Sequence, residues 1–152
     1  MTTRPTVHAS AVLVGARAVL IRGPSGAGKS RLALALLETA ASGQSVFTRL
    51  VSDDRSHLEA HHGRLLVRAP ASLAGLIEVR GLGIRRLPCE PVAVVGLVVD
   101  LAAPDGERLP GPASRQATLE GIVLSRLPVA ADAEPLPMVL AALSNPLGCG
   151  SD

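Results

Sequence analysis

The chain has 152 residues, of which 47% are hydrophobic; that is enough for one domain with a sizeable core and short for two. Its formal net charge of +2 is spread along the sequence and Phe47 is its single Phe, Tyr or Trp, so it has neither the basic stripe nor the stacking platform of a nucleic-acid binder. Cys89 and Cys149 stand in no metal or redox spacing, the start has no basic-then-apolar leader, and no apolar run approaches the ~20 residues of a membrane span, so a soluble cytoplasmic protein without a membrane partner is expected.

Two β-type runs, Val7 to Val14 and Arg17 to Arg22, flank Gly15-Ala16 and predict a tight hairpin. With those two residues as the loop, Val14 faces Arg17, and the same register carries His8 opposite Gly23, at the mouth of the next segment. That segment, Gly23-Pro24-Ser25-Gly26-Ala27-Gly28-Lys29-Ser30, matches the phosphate-binding loop G-x-x-x-x-G-K-[ST]. Small residues there let successive N–H groups curl around a phosphate, the lysine reaches the terminal phosphates, and the last hydroxyl holds Mg²⁺. Lys29 is the only lysine among 15 basic residues, where a compact ammonium suits the cradle better than a planar guanidinium. Arg31 to Ala41, with Leu32, Leu36 and Leu37 at helical spacing, predicts the helix whose N-terminus faces the phosphates, ended by Gly43.

Val46 to Val51 predicts the next strand, finishing in Ser52-Asp53-Asp54. Carboxylates at a strand end downstream of a phosphate loop are where a metal-orienting group or a proton acceptor is expected, although paired aspartates also start turns. His57, His61 and His62 lack cysteines and the H-E-x-x-H arrangement and are expected in an exposed turn before a hairpin tip at Gly63-Arg64 and a strand Leu65 to Arg68. Pro70 opens a short helical piece, Ala71 to Leu76. Alternation from Ile77 then puts Glu78 and Arg80 on one face before a glycine-rich turn ending at Ile84, as a surface ion pair or as a metal ligand with a phosphate-binding guanidinium.

Val7-His8, Gly23 to Ser30, Leu50 to Asp54 and Ile77 to Ile84 together resemble the catalytic domain of HPr kinase/phosphorylase, which phosphorylates a serine of the sugar-transport phosphocarrier HPr. The resemblance covers about the first 85 residues well and the rest loosely. It implies an HPr kinase/PEP carboxykinase-like fold, ATP and Mg²⁺ as cofactors, HPr as protein substrate and a hexameric homo-oligomer. It further implies that Lys29 and Ser30 bind phosphates and Mg²⁺, with Asp53 and Glu78 as further metal ligands. Asp54 becomes the proton acceptor, with Arg80 and His8 as catalytic residues. Arg108 resembles an active-site arginine of the family's later loop, with Arg115 competing for that part.

Two departures stand out. The family's extra N-terminal domain has no counterpart before His8, so regulation through it is not expected. The family's P-x-R-P-G-R segment, tied to phosphorolysis of seryl-phosphate, is replaced around Pro128 to Pro135 by a stretch without arginine that carries Asp132 and Glu134, so the reverse reaction is expected to be weak or absent.

The remaining elements are a buried strand over Val92 to Leu101, a polar loop through Arg108, a last strand over Gly121 to Pro128 and a last helix over Pro137 to Ser144, whose apolar girth predicts packing against the core or another subunit. The expected architecture is one α/β domain over 1–152, with a mixed central sheet, the phosphate loop between a strand and a helix, and a flexible tail from about residue 145. Two other readings stay open: a small-molecule kinase or NTPase in which Asp53-Asp54 only orients Mg²⁺, and a non-catalytic nucleotide-dependent sensor.

Overall fold

The apolar start of the chain forms the hairpin that its Gly15-Ala16 loop dictates: in the computed structural model, β1 (Ala9–Val14) pairs antiparallel with β2 (Arg17–Arg22), Val14 facing Arg17 and Ala9 facing Arg22. The structure describes residues 5–42, 46–106 and 111–144. The ladder stops one pair short of the His8–Gly23 pairing read from the register, because Val7 bridges Ser56 on another segment instead.

The segments that follow are α1 (Lys29–Ala41), β3 (Thr48–Ser52), the hairpin β4 (His57–His61) and β5 (Arg64–Arg68), a second hairpin β6 (Leu76–Val79) and β7 (Gly83–Arg86), then β8 (Ala93–Asp100), β9 (Gln116–Leu119), β10 (Ile122–Pro128) and α2 (Pro135–Ser144). The main sheet runs β3-β1-β2-β8-β10-β9, with β5 joined to the start of β8 and β4 to β5. β8 is parallel to β2 and to β10 while the other pairings are antiparallel, so the sheet is mixed as expected. β6 and β7 form a separate two-stranded sheet.

Apolar side chains divide between the two faces. Val19, Ile21, Leu97 and Val99 meet Leu32, Leu36 of α1 and Val139 of α2 in one cluster, whereas Ala18, Leu20, Val95 and Val98 meet Leu65 and Val67 of β5 in the other. Each fully buried leucine contributes roughly 1.5–3 kcal/mol, and this burial holds α1 down with its N-terminus at the carboxyl end of β2. Among the described residues no helix is long and apolar enough to cross a membrane.

Several boundaries differ from the sequence reading. α1 begins two residues earlier, at Lys29, because Gly28 takes the left-handed cap and sends the chain straight into helix. β3 starts at Thr48, with Val46 and Phe47 exposed before it; Gly43 lies outside the described residues. His57–His61 is a strand rather than a turn, and the hairpin tip is His62-Gly63, both at positive φ. The helical piece after Pro70 is a single 3-10 turn, Ala71–Leu73, and α2 starts two residues early at Pro135.

Candidate active site

β2 ends at Arg22 and the chain turns through Gly23 to Gly28 into α1. A Cβ on Gly23 would lie 3.1 Å from the Leu101 Cβ and 3.2 Å from the Leu101 carbonyl oxygen, so a larger residue would have to push the loop a few tenths of an ångström off the end of β8. Gly28 enters α1 at φ 101°, where L side chains are strained. No side chain caps this end of α1 and no acid sits in its first turn, so its first N–H groups stay available to an anion. Lys29 is buried and its Nζ donates to the carbonyl oxygens of Gly23 (2.9 Å) and Pro24 (3.3 Å), clasping the loop across its opening.

The carboxylate of Asp53, just past β3, joins three elements. Its Oδ1 accepts from the hydroxyls of Ser10 (2.8 Å, β1) and Ser30 (2.6 Å, α1), and its Oδ2 accepts from the backbone N–H of Glu78 (3.2 Å, β6). Asp54 faces the other way. It is exposed at φ 66°, an uncommon conformation for a non-glycine residue, and its backbone is fixed by Ala9 N–H donating to its carbonyl (3.1 Å) and by its own N–H donating to Ser10 Oγ (3.0 Å). The aspartate pair is thus split, one carboxylate tied to the serine of the loop and the other turned to solvent beside it.

Glu78 is exposed on β6 between the buried Ile77 and the half-buried Val79, and Arg80 is exposed just beyond the strand, as the alternation predicted. His8 is exposed just before the start of β1, adjacent in sequence to the bridge at Val7. Arg108 lies outside the described residues, and Arg115 sits half-buried in a 3-10 turn, Pro112–Arg115, before β9. The structure therefore brings together Gly23 to Ser30, Asp53, Asp54 and the backbone of Glu78.

The donors present fit Mg²⁺: a hydroxyl and a carboxylate oxygen 2.6 Å apart are hard oxygen ligands, which that ion takes in small number while keeping waters and phosphate oxygens. Beside the loop, a cavity of about 360 Å³ lies between Pro24 to Ala27 and the segment Val129 to Pro135. Val129, Ala130, Ala131 and Ala133 line it, whereas Asp132 and Glu134 are exposed and take no part. The acids of that segment therefore do not themselves line this wall, and the absence of arginine from it supports the expectation of a weak reverse reaction.

A charged row at the carboxyl ends of the central strands escaped the sequence reading. Asp100, at the end of β8, accepts a bidentate pair from Arg22 (2.7 and 2.8 Å) and a bond from Arg126 Nε (2.5 Å). Arg126 also donates to Asp105 (2.6 and 3.0 Å) and to the Ser114 carbonyl (3.0 Å). Burial pushes the Asp100 carboxyl up, but the bonds from Arg22 and Arg126 outweigh it and hold it below the usual carboxylate range. The bond from Arg126 brings Asp105 down to about 2 against a smaller opposing effect of burial. The sequence signal was Asp100 itself, an acid closing an apolar strand, since a carboxylate there needs a cationic partner.

The HPr Serine kinase C-terminal domain family model matches residues 1–87, more than half of the chain. An HPr kinase/phosphorylase from Clostridium beijerinckii is 40% identical over 78 residues, 51% of this chain and 24% of that protein. One from Lactobacillus delbrueckii subsp. bulgaricus is 39% identical over 82 residues, 53% of this chain and 24% of that protein. The chain thus matches about a quarter of the length of these relatives. The solved structure of the Hpr(Ser) kinase/phosphatase from Coxiella burnetii superposes with a TM-score of 0.72 at 26% identity, covering 93% of this chain and 94% of that one. The phosphate loop, the Asp53-Asp54 pair and the Glu78 hairpin all fall inside the matched stretch, and the chain belongs to the HPr serine kinase C-terminal domain family.

Proposed function

We propose that this domain is a Mg²⁺-dependent protein kinase that transfers the terminal phosphoryl group of ATP to a serine hydroxyl of an HPr-type phosphocarrier, acting in the cytoplasm as a homo-oligomer, a hexamer by family resemblance. The observation that carries the reading is the Ser30–Asp53 contact at 2.6 Å with Asp54 turned outward beside it. When bound, Mg²⁺ neutralises charge on the transferring group. Gly23 to Ser30 present backbone N–H groups to the phosphates, and the Lys29 ammonium leaves its loop carbonyls for the terminal phosphate oxygens. Ser30 and Asp53 hold the metal, with the Glu78 carboxylate completing the set. Asp54 accepts the proton of the attacking serine, a role that suits a solvent-facing carboxylate a protein substrate can reach. Arg80 and Arg108 stabilise the phosphoryl oxygens, and His8 is a further catalytic residue by family resemblance. Phosphorolysis of seryl-phosphate is weak or absent, since Val129 to Pro135 offers no guanidinium to inorganic phosphate.

Radiolabelled ATP incubated with HPr and the protein tests this. Label on the HPr serine is expected; label in a metabolite points to a small-molecule kinase, and tight ATP binding without turnover to a sensor. Asp54→Asn is expected to lose transfer by about 100-fold or more while keeping nucleotide binding, and transfer at the parent rate removes Asp54 as the base. Pyrophosphate release from seryl-phosphorylated HPr at a rate comparable to the kinase reaction overturns the one-directional reading.

A further inference from the structure

The central parallel pair contains a bulge: Ala18 pairs with Val95 but Val19 pairs with Leu97, leaving Gly96 without a partner. Bulges are rare in parallel pairs and re-aim side chains where they occur. A Cβ on Gly96 would lie 2.7 Å from the Arg17 Cβ and 3.1 Å from its Cγ, so the missing side chain is what lets the Arg17 stem cross the strand. The guanidinium it delivers makes no hydrogen bond or ion pair with any described residue, and neither does that of Arg115.

Both arginines line one cavity of about 820 Å³, between the β8–β10 face and the end of α2. Gln116 and Ser125 add neutral polar groups, Leu97 and Leu127 add aliphatic wall, and among the described residues no carboxylate lines it. Arg126 also borders the cavity, but its guanidinium is occupied by Asp100 and Asp105. A mostly apolar cavity of small-molecule size, with a few polar groups and two guanidiniums that have no partner among the described residues, has the make-up of a site for an amphipathic anion.

We infer that this cavity is a second ligand site, apart from the phosphate loop, that binds a small organic anion: a phosphate monoester or carboxylate on a short aliphatic body. Arg17 and Arg115 take the anionic group, and the leucine wall takes the body. The site does not depend on the kinase reading.

Calorimetric titration of the full chain with hexyl phosphate, hexanoate and inorganic phosphate tests it. Hexyl phosphate or hexanoate is expected to bind saturably at one site per chain, and inorganic phosphate more weakly. Arg17→Ala and Arg115→Ala are each expected to weaken binding about tenfold or more, while Lys29→Ala, which disables the phosphate loop, leaves it unchanged. Arg17→Gln keeps the stem seated on Gly96 and removes only the charge, so it serves if Arg17→Ala does not fold. Binding that survives both arginine variants, binding lost in Lys29→Ala but kept in Arg17→Gln, or no saturable binding overturns the inference. So does capture of an acidic peptide in the absence of small-anion binding, which would make the surface a protein contact.

Discussion

Replacing Asp53 by asparagine tests the junction on which the candidate site is built. The amide is isosteric, and its oxygen can keep both hydroxyl bonds now made by Oδ1, to Ser10 and Ser30. The loss falls on the other atom, because the amide NH₂ replaces Oδ2 and confronts the Glu78 N–H, donor against donor at 3.2 Å. One lost bond, an unsatisfied, partly buried donor and two bonds to a neutral rather than charged acceptor together cost roughly 2–3 kcal/mol. For a chain of this length each kcal/mol lowers the midpoint by about 2–4 °C, so a fall of roughly 4–12 °C is expected. With no tryptophan or tyrosine present, the melt is followed by far-ultraviolet circular dichroism. Removing the charge proposed to hold the cation should also raise the Mg²⁺ concentration needed for nucleotide binding by more than about tenfold, since even the partners of metal ligands are worth about 10- to 100-fold. A midpoint within 1 °C of the parent would falsify the junction as a structural tie. A lowered midpoint with an unchanged Mg²⁺ requirement refutes Asp53 as a metal ligand and leaves it a purely structural residue.

Two further outcomes follow from contacts outside the phosphate loop. Arg126→Met removes the partner that lowers Asp105 to about 2 and Asp100 in the same direction, so the stability it forfeits is present in full above the ordinary carboxylate range near ~4 and fades as pH falls through about 2. Denaturation of both proteins from pH 7 to pH 2 should therefore give a gap that is constant down to about pH 5 and closes below, and a gap that widens in acid contradicts the assignment. Gly106→Ala would place a Cβ 2.5 Å from the Ala130 backbone nitrogen and 2.9 Å from the Val129 carbonyl carbon, atoms of the cavity wall that no rotamer change can move. A loss of about 1–3 kcal/mol in urea is expected together with weaker nucleotide binding, and an unshifted urea midpoint rejects the contact.

The sequence carried the local features of this fold and missed those that depend on partners. The β1–β2 register was readable because a two-residue loop between two apolar runs fixes it, and α1 because its leucines recur at helical spacing. β4 was not readable. His57–His61 contains no β-branched residue and is a strand only because every one of its residues pairs with β5. The opposite error occurred at Val46 and Phe47, which have strand propensity but stand exposed before β3. The Gly23 to Ser30 motif and the Asp53-Asp54 pair were readable as contiguous stretches, whereas the split between a tied Asp53 and an exposed Asp54 was visible only once β1, α1 and β6 met at the Asp53 carboxylate.

The row Arg22–Asp100–Arg126 joins residues 78 and 26 positions apart, and no spacing rule reaches across such distances. It depends on the bulge at Gly96. Without the extra residue, the register that pairs Ala18 with Val95 would continue to set Val99 opposite Arg22 and turn Asp100 toward the apolar face under α1. With it, Val95 and Val98 share the β5 face although three residues apart, Leu97 and Val99 point at α1, and Asp100 arrives opposite Arg22. A strand buried on both faces shows no alternation, so the insertion left no trace in the apolar run. The same residue that opens a seat for Arg17 at one end of β2 thereby fixes the ion pair at the other, one position before the phosphate loop begins. The ion pair next to the Gly23 to Ser30 loop is in that sense set by a glycine in the middle of the sheet.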